Sequence, residues 1–126
     1  MKIAIIEDEP LELSQITNEI KSIRKKEVAG IGFEISAYQT IRDFEEKRQN
    51  VDLLVLDLHL PDGNGMDLAR RLKEEHASTG VIIITAYQEH VYEGYEVGAF
   101  RFLPKPVDTE KLKEAKEAYS KELENI

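Results

Sequence analysis

Apolar residues occupy consecutive positions in three stretches of the chain, and each stretch leads into a polar residue. The stretches are residues 3–6, 51–56 (broken only by Asp52) and 81–84, which lead into Glu7, Asp57 and Thr85. Continuous apolar runs of this length are typical of strands that are buried on both faces of a parallel sheet. Residues 33–37 and 100–102 instead alternate apolar and polar side chains, which predicts half-exposed strands at the sheet edges.

Between these strands, apolar residues recur at steps of three or four, the period of an amphipathic helix. The pattern predicts helices that begin at Pro10, over 40–49, over 64–76 and over 89–97, and a last helix capped by Asp108. The side chains predicted to point inward are Leu13, Ile16, Ile20, Ile23, Ile41, Phe44, Met66, Ala69, Leu72, Leu112, Ala115 and Tyr119. Gly98 is predicted to end the fourth helix, and Pro104 and Pro106 to end the fifth strand.

Strand and helix patterns alternate five times along the 126 residues. Such alternation predicts an α/β fold of three layers, in which helices cover both faces of a parallel five-stranded sheet. Continuous strands belong inside the sheet and alternating strands at its edges, which fits the flavodoxin-like order 2-1-3-4-5. The chain shows no second domain, repeat or low-complexity linker, so residues 1–126 are predicted to form a single domain.

The composition narrows the class of function. A formal net charge of −8 at pH 7 argues against a basic surface for direct DNA binding. The chain contains no cysteine, which excludes disulfides, thiol chemistry and thiolate metal sites. No apolar stretch is long enough to span a membrane, and the strand pattern begins at once, without a signal peptide. We therefore expect a cytoplasmic protein that does not contact a membrane.

Carboxylates gather at the predicted switch point of the sheet, between the first and third strands. Glu7, Asp8 and Asp57 lie at the carboxyl ends of these strands, where ligands bind in open α/β sheets. Two like charges in contact repel by about 4 kcal/mol near a protein surface, so the arrangement requires a cation. Oxygen ligands with room for water favour Mg²⁺. The alternative is that Asp57 only caps a turn and that the three acids stay solvated and apart.

Two further polar residues are expected at the same edge. Thr85 ends the fourth strand, and Lys105 follows the fifth. A hydroxyl and an ammonium group beside a metal-bound carboxylate suit a phosphate-sized dianion, and a carboxylate can itself accept a phosphoryl group. Taken singly, each residue has a simpler explanation, since Thr85 could just end a strand and Lys105 could be a surface lysine.

Four segments, in this order, resemble the receiver domains of two-component response regulators. They are residues 5–10 (IIEDEP), 56–61 (LDLHLP) with Gly65, 84–86 (ITA) and 98–106 (GAFRFLPKP). The resemblance covers about residues 2–118. Residues 85–87 and 93–102 are most similar to receivers of LytTR-type transcription regulators.

The resemblance implies a role for each matching position. Asp57 would accept a phosphoryl group from a histidine of a sensor kinase. Mg²⁺ would be held by Asp8 and Asp57, by the backbone carbonyl of His59 and, through water, by Glu7. The residues implied to bind phosphate or to switch with it are Thr85, Ala86, Lys105 and Phe102. The peptide bond before Pro106 is implied to be cis.

The sequence departs from the family pattern at two of these segments. Glu7 stands where aspartate is more common, and Arg101 stands where an acidic residue is common. The second departure weighs against the salt-bridged dimer of the winged-helix subfamily. The three histidines, His59, His76 and His90, match no metal-binding spacing, so they are interpreted as surface or loop residues.

These observations favour a phosphorylation-controlled switch, which regulates transcription through an effector domain outside this chain. It would catalyse only its own phosphoryl transfer and dephosphorylation and would not be a metabolic enzyme. One alternative is a degenerate receiver that only docks partners. Another is a phosphatase with Asp57 as nucleophile, but the proton-donating acid that it would need two residues later is replaced by His59.

The fourth predicted helix is the weakest in the chain. Gly94 costs it about 1 kcal/mol relative to alanine, while Tyr92 and Tyr95 offer the amphipathic area common at interfaces. Together with Arg101 on the fifth strand, they are predicted to lie on the face formed by the fourth helix, fifth strand and fifth helix. We expect this face to carry the output, either to a partner or to a second copy of the chain.

Overall fold

Five parallel strands form the central sheet of the computed structural model, which describes residues 2–24, 34–47, 50–75, 78–86, 99 and 101–124. The strands are β1 (Lys2–Ile6), β2 (Glu34–Tyr38), β3 (Leu53–Asp57), β4 (Gly80–Thr85) and β5 (Arg101–Pro104). They lie in the order β2-β1-β3-β4-β5, and every neighbouring pair is parallel. The predicted fold and strand order are therefore confirmed.

The described helices are α1 (Pro10–Arg24), α2 (Ile41–Glu46), α3 (Gly65–Glu74) and a last helix (Thr109–Glu124). Polar side chains cap three of them, because the first backbone N–H groups of a helix have no partner within it. Thr40 accepts from the Asp43 N–H (3.0 Å), Asn64 from the Met66 N–H (2.8 Å) and Asp108 from the Glu110 N–H (2.8 Å). The helix predicted over 89–97, with Gly98, lies outside the described residues.

Side chains of the inner strands alternate between two apolar clusters, one on each face of the sheet. Leu54 and Leu56 of β3 pack on the side of α2 and α3, whereas Leu53 and Val55 pack on the side of α1 and the last helix. The predicted inward residues that are buried are Ile16, Ile20, Phe44, Met66, Ala69, Leu72, Leu112, Ala115 and Tyr119. Burial on both faces explains why the inner strands are continuously apolar.

The structure confirms where the fifth strand ends and corrects two other local predictions. β5 ends at Pro104, as predicted, and Pro104 lies opposite Thr85. Its missing N–H is tolerated because β5 is an edge strand, and the next residue, Lys105, donates its N–H to the Thr85 carbonyl (2.9 Å). The segment after Asp57 contains a small antiparallel hairpin, His59–Leu60 with Gly63–Asn64, where only a loop was expected. Helix α2 ends at Glu46, before the predicted residue 49.

Candidate functional site

The carboxylates of Glu7, Asp8 and Asp57 meet at the carboxyl edge of the sheet. Glu7 follows β1 and Asp57 ends β3, and the two strands pair through Ile6 and Leu56. One oxygen from each of the three carboxylates lies within 4.8 Å of the other two. Glu7 and Asp57 are buried, whereas Asp8 is exposed. The three acids therefore converge at one solvent-accessible point, and are not spread over the surface.

Lys105 reaches the same point from the end of β5. Its Nζ donates to Glu7 Oε1 (2.5 Å), to Glu12 Oε2 (2.6 Å) and, more loosely, to Asp57 Oδ2 (3.3 Å). The bond from the Lys105 N–H to the Thr85 carbonyl fixes its backbone beside β4. The ammonium group is thus held among carboxylates, 3.3 Å from the side chain of Asp57.

The remaining predicted phosphate-binding and switch residues surround this cluster. Thr85 is fully buried at the end of β4, one position beyond the residue paired with Asp57, and Ala86 follows it on the surface. Phe102 is half-buried and packs against the apolar cluster on the side of α2 and α3. The Lys105–Pro106 peptide bond is cis.

Burial and neighbouring charges shift the pKa values of Glu7, Glu12 and Lys105. Burial, and then the neighbouring carboxylates of Glu12 and Asp57, raise the pKa of Glu7 to about 9, although Lys105 partly offsets them. The hydrogen-bonded Glu7 carboxyl and then Lys105 lower the pKa of Glu12. Burial by itself would lower the pKa of Lys105, but hydrogen bonds to Glu12 and Glu7 and the charge of Asp57 raise it above its usual value. Without a cation, the site therefore keeps Lys105 charged and favours the neutral form of Glu7.

Residues 58–65, which follow β3, fix the position of Asp57 through backbone contacts. The His59 N–H donates to Asp57 Oδ1 (3.4 Å), and the Gly65 N–H donates to the Leu58 carbonyl (2.9 Å). A Cβ at Gly65 would lie 2.4 Å from the Asp57 carbonyl oxygen, so only glycine allows this close approach. Asp62 accepts from the N–H groups of Ile41 and Arg42 (3.0 and 2.8 Å) and so ties the segment to the start of α2.

The donor set suits a hard divalent cation. All three side chains offer oxygen, and the exposed Asp8 leaves the point open to water, as Mg²⁺ prefers. A cation would also favour the charged form of Glu7, which burial disfavours. The acidic cluster could therefore bind a metal ion.

Sequence reasoning missed Glu12, although it makes one of the two short contacts with Lys105. A signal was available, since Glu12 is an acidic residue in the first turn of α1, four residues after Asp8. Of the predicted output residues, Arg101 pairs with Glu114 of the last helix (3.2 Å). Tyr92 and Tyr95 lie outside the described residues, as do His76 and His90.

Comparison with known proteins gives the family and the level of similarity. A family model described as the response regulator receiver domain matches residues 3–117. The response regulator protein PilR of Pseudomonas aeruginosa is 31% identical over 117 residues, which cover 90% of this chain and 24% of that protein. The sensory transduction protein LytT of Bacillus subtilis is 30% identical over 122 residues, which cover 96% of this chain and 48% of that protein.

Solved structures agree with this match. DrrB, a response regulator of Thermotoga maritima, superposes with a TM-score of 0.82 at 27% identity, over 96% of this chain and 52% of that one. The BeF3-activated receiver domain of DrrB gives 0.82 at 26% identity, over 95% of this chain and 97% of that one. The chain thus spans half or less of the length of the curated relatives named here but nearly all of a solved receiver domain. No helix in the described part of the chain is long and apolar enough to cross a membrane.

Proposed function

Because this chain belongs to the response regulator receiver domains, we propose that it is a phosphorylation-controlled switch whose phosphoacceptor is Asp57. Receiver domains are signalling modules of two-component systems and not classical enzymes. The observation that carries the assignment to Asp57 is its position: a buried carboxylate at the end of a central strand, with the Lys105 ammonium group 3.3 Å away.

The chemistry follows from this arrangement. An Asp57 carboxylate oxygen attacks the phosphorus of a phosphohistidine on a sensor kinase, an O–P bond forms, and the N–P bond breaks with its electron pair going to the imidazole. Lys105, whose raised pKa keeps it charged, neutralises negative charge on the phosphoryl oxygens. Attack by water on the acyl phosphate then returns inorganic phosphate and the free carboxylate.

Mg²⁺ is the cation that the proposal assigns to the acidic cluster. Asp8 and Asp57 would hold it directly, with the His59 carbonyl, and Glu7 would hold it through water. When bound, it supplies positive charge against the phosphoryl oxygens and against the repulsion among the carboxylates. The phosphatase alternative lacks support in the structure, because His59, two residues after Asp57, has an exposed side chain and contributes its backbone N–H to Asp57.

Phosphorylation is proposed to be transmitted through Thr85 and Phe102. The phosphoryl group would draw the Thr85 hydroxyl towards it, and half-buried Phe102 would then move against the core. A nearly complete shift between two such states needs about 5.5 kcal/mol of differential stabilisation. The output would act on the face that includes Arg101, Tyr92 and Tyr95, by self-association or by binding a partner. DNA would be contacted only through an effector domain, as in regulators of transcription, and a cytoplasmic location stays a prediction.

Labelling with acetyl phosphate and Mg²⁺ tests the phosphoacceptor. We expect intact-mass analysis to show the addition of one phosphoryl group to the wild type and none to Asp57→Asn. Asp67→Asn is the matched control, because Asp67 is an exposed aspartate at the start of α3 that pairs only with nearby Arg70 in the contacts seen. Equal labelling of wild type and Asp57→Asn would remove Asp57 from this role. No labelling of the wild type would favour a degenerate docking module.

The switch is tested separately by amide NMR. The wild type should show shifts near Phe102 on phosphorylation, whereas Thr85→Ala should accept the phosphoryl group and lose those shifts. Unchanged amides near Phe102 in the phosphorylated wild type would refute the coupling.

A further inference from the structure

Glu12 contacts the ammonium group of the proposed site without being one of its three converging acids. Its Oε2 lies 2.6 Å from Lys105 Nζ, across 93 residues of sequence. The Glu12 side chain is 43% exposed and that of Lys105 is 18% exposed. Both residues line a groove between α1 and the segment that follows β5. The contact therefore joins the first turn of α1 to the residue that faces Asp57.

The geometry of Lys105 uses the full donor capacity of its side chain. An ammonium group has three N–H donors, and three carboxylates accept from it, those of Glu7, Glu12 and Asp57. The contact with Asp57, at 3.3 Å, is the longest and hence the easiest to exchange for a phosphoryl oxygen.

The two short contacts of Lys105, with Glu7 and with Glu12, should respond differently when a cation and a phosphoryl group enter the site. Glu7 belongs to the acidic cluster, so its carboxylate would interact with a cation bound there. Glu12 is not one of the three acids of that cluster, and its Oε2 accepts from Lys105 Nζ at 2.6 Å. It is thus the acceptor that can keep its hold on Lys105 while the other two contacts are rearranged.

We propose that Glu12 is a positioning residue for phosphoryl transfer, which anchors the Lys105 ammonium group beside Asp57. The inference rests on the proposed function and assigns to it a residue outside the acidic cluster. Lysine has a long flexible side chain that loses much rotamer freedom when it is fixed. An anchor that holds it in place before the phosphoryl group arrives removes part of that cost from the reaction.

The test compares Glu12→Ala with Glu9→Ala. Glu9 is the matched control, because it is an exposed acid at the start of α1 whose side chain makes no contact with Lys105 among those seen in the described part of the chain. Both changes remove one negative charge beside the site and one acid from the helix start. We expect Glu12→Ala to lower the rate of labelling of Asp57 by phosphoramidate about threefold to fivefold, as for the loss of one half-exposed ion pair. Glu9→Ala should stay within about twofold of wild type.

A second readout does not depend on phosphorylation. In ¹⁵N-lysine-labelled protein, the Lys105 ammonium signal should shift and broaden in Glu12→Ala and stay at its wild-type position in Glu9→Ala, while the affinity for Mg²⁺ changes little in either. Equal rates and equal ammonium signals in the two variants would overturn the proposal, as would faster labelling of Glu12→Ala, which would make Glu12 a competitor for Lys105. If the wild type is not labelled at all, the proposed function fails, and the ammonium signal still reports whether Glu12 anchors Lys105.

Discussion

Lys116 is buried and Lys105 is half-buried, and their surroundings shift the pKa values of the two ammonium groups in opposite directions. Lys105 lies at the carboxyl edge of the sheet, where three carboxylates raise its pKa above the usual value. Lys116 lies on the inner side of the last helix, beside buried Leu112, Ala115 and Tyr119, and is 1% exposed. Burial lowers its pKa to about 8, and the charge of Glu117 offsets this only in part.

The difference shows that burial alone does not decide what a lysine does. At the sheet edge, the ends of β1 and β3 and the start of α1 deliver carboxylates to one point, so the charge of Lys105 is stabilised and can be used. On the last helix, Lys116 is buried beside Leu112, Ala115 and Tyr119, and burial disfavours its charged form. We therefore expect substitutions in the two regions to separate activity from stability.

The largest effect is expected from Lys105→Met. Loss of the cation beside Asp57 should lower the rate of labelling by acetyl phosphate about a hundredfold, as for the loss of one electrostatic donor in an active site. The same substitution at Lys116 should leave the rate unchanged. Mass spectrometry of labelling time courses measures both. A similar loss in the two variants would remove the distinction between the two lysines.

Gly65, beside Asp57, and Gly80, beside Tyr119 of the last helix, allow the same two regions to be compared by their packing. A Cβ at Gly65 would meet the Asp57 carbonyl oxygen at 2.4 Å, and a Cβ at Gly80 would meet the Tyr119 ring at 2.3 Å. Each Gly→Ala change should destabilise the fold by about 1–3 kcal/mol in urea unfolding, since overpacking moves neighbouring groups. Only Gly65→Ala should also slow the labelling of Asp57. Slower labelling of Gly80→Ala would show that the two regions are coupled.

Lys116→Met should stabilise the protein at pH 7 by about 1–3 kcal/mol. A pKa lowered from 10.5 to about 8 means that the folded protein holds a charge it disfavours, at about 1.4 kcal/mol per pKa unit, and methionine fills a similar volume without that charge. Lys111→Met is the control, because Lys111 is exposed on the same helix. Urea unfolding at pH 7 measures the change. Destabilisation by Lys116→Met would mean that Lys116 makes contacts worth more than the cost of burying its charge.

The smallest effect expected is the change with pH of the stability difference between Lys116→Met and the wild type. Between the pKa of about 8 in the folded state and 10.5 in the unfolded state, the unfolded chain binds the proton that the folded chain has released. The stability contributed by this site therefore rises with pH over this range, and the advantage of Lys116→Met should shrink between pH 8 and pH 10.5. Parallel unfolding curves of the two proteins at several pH values measure the trend, and an advantage that grows with pH would contradict it.

Local patterns in the sequence were sufficient to separate inner strands from edge strands and to bring Glu7 and Asp57 to one edge, whereas the strand order was taken from the flavodoxin-like fold. Continuous apolar runs marked β1, β3 and β4 as inner strands, because only a strand covered on both faces is apolar at every position. Parallel strands place their carboxyl ends at one edge, so Glu7 and Asp57 could be expected together before any contact was seen.

Tertiary structure alone decided how the charges are shared. The contacts of Lys105 with Glu7 and Glu12 span 98 and 93 residues. The contact with Glu12 depends on how α1 is rotated over the sheet, which a helical period leaves uncertain by part of a turn. The burial of Lys116 depends in the same way on the rotation of the last helix, where it follows the inward Ala115. The sequence by itself determined which residues lie at the carboxyl edge, because strand direction fixes that edge. Only the packed structure determined which acid holds the lysine, because a distance of a few ångströms between distant segments is set by the packing of the whole domain.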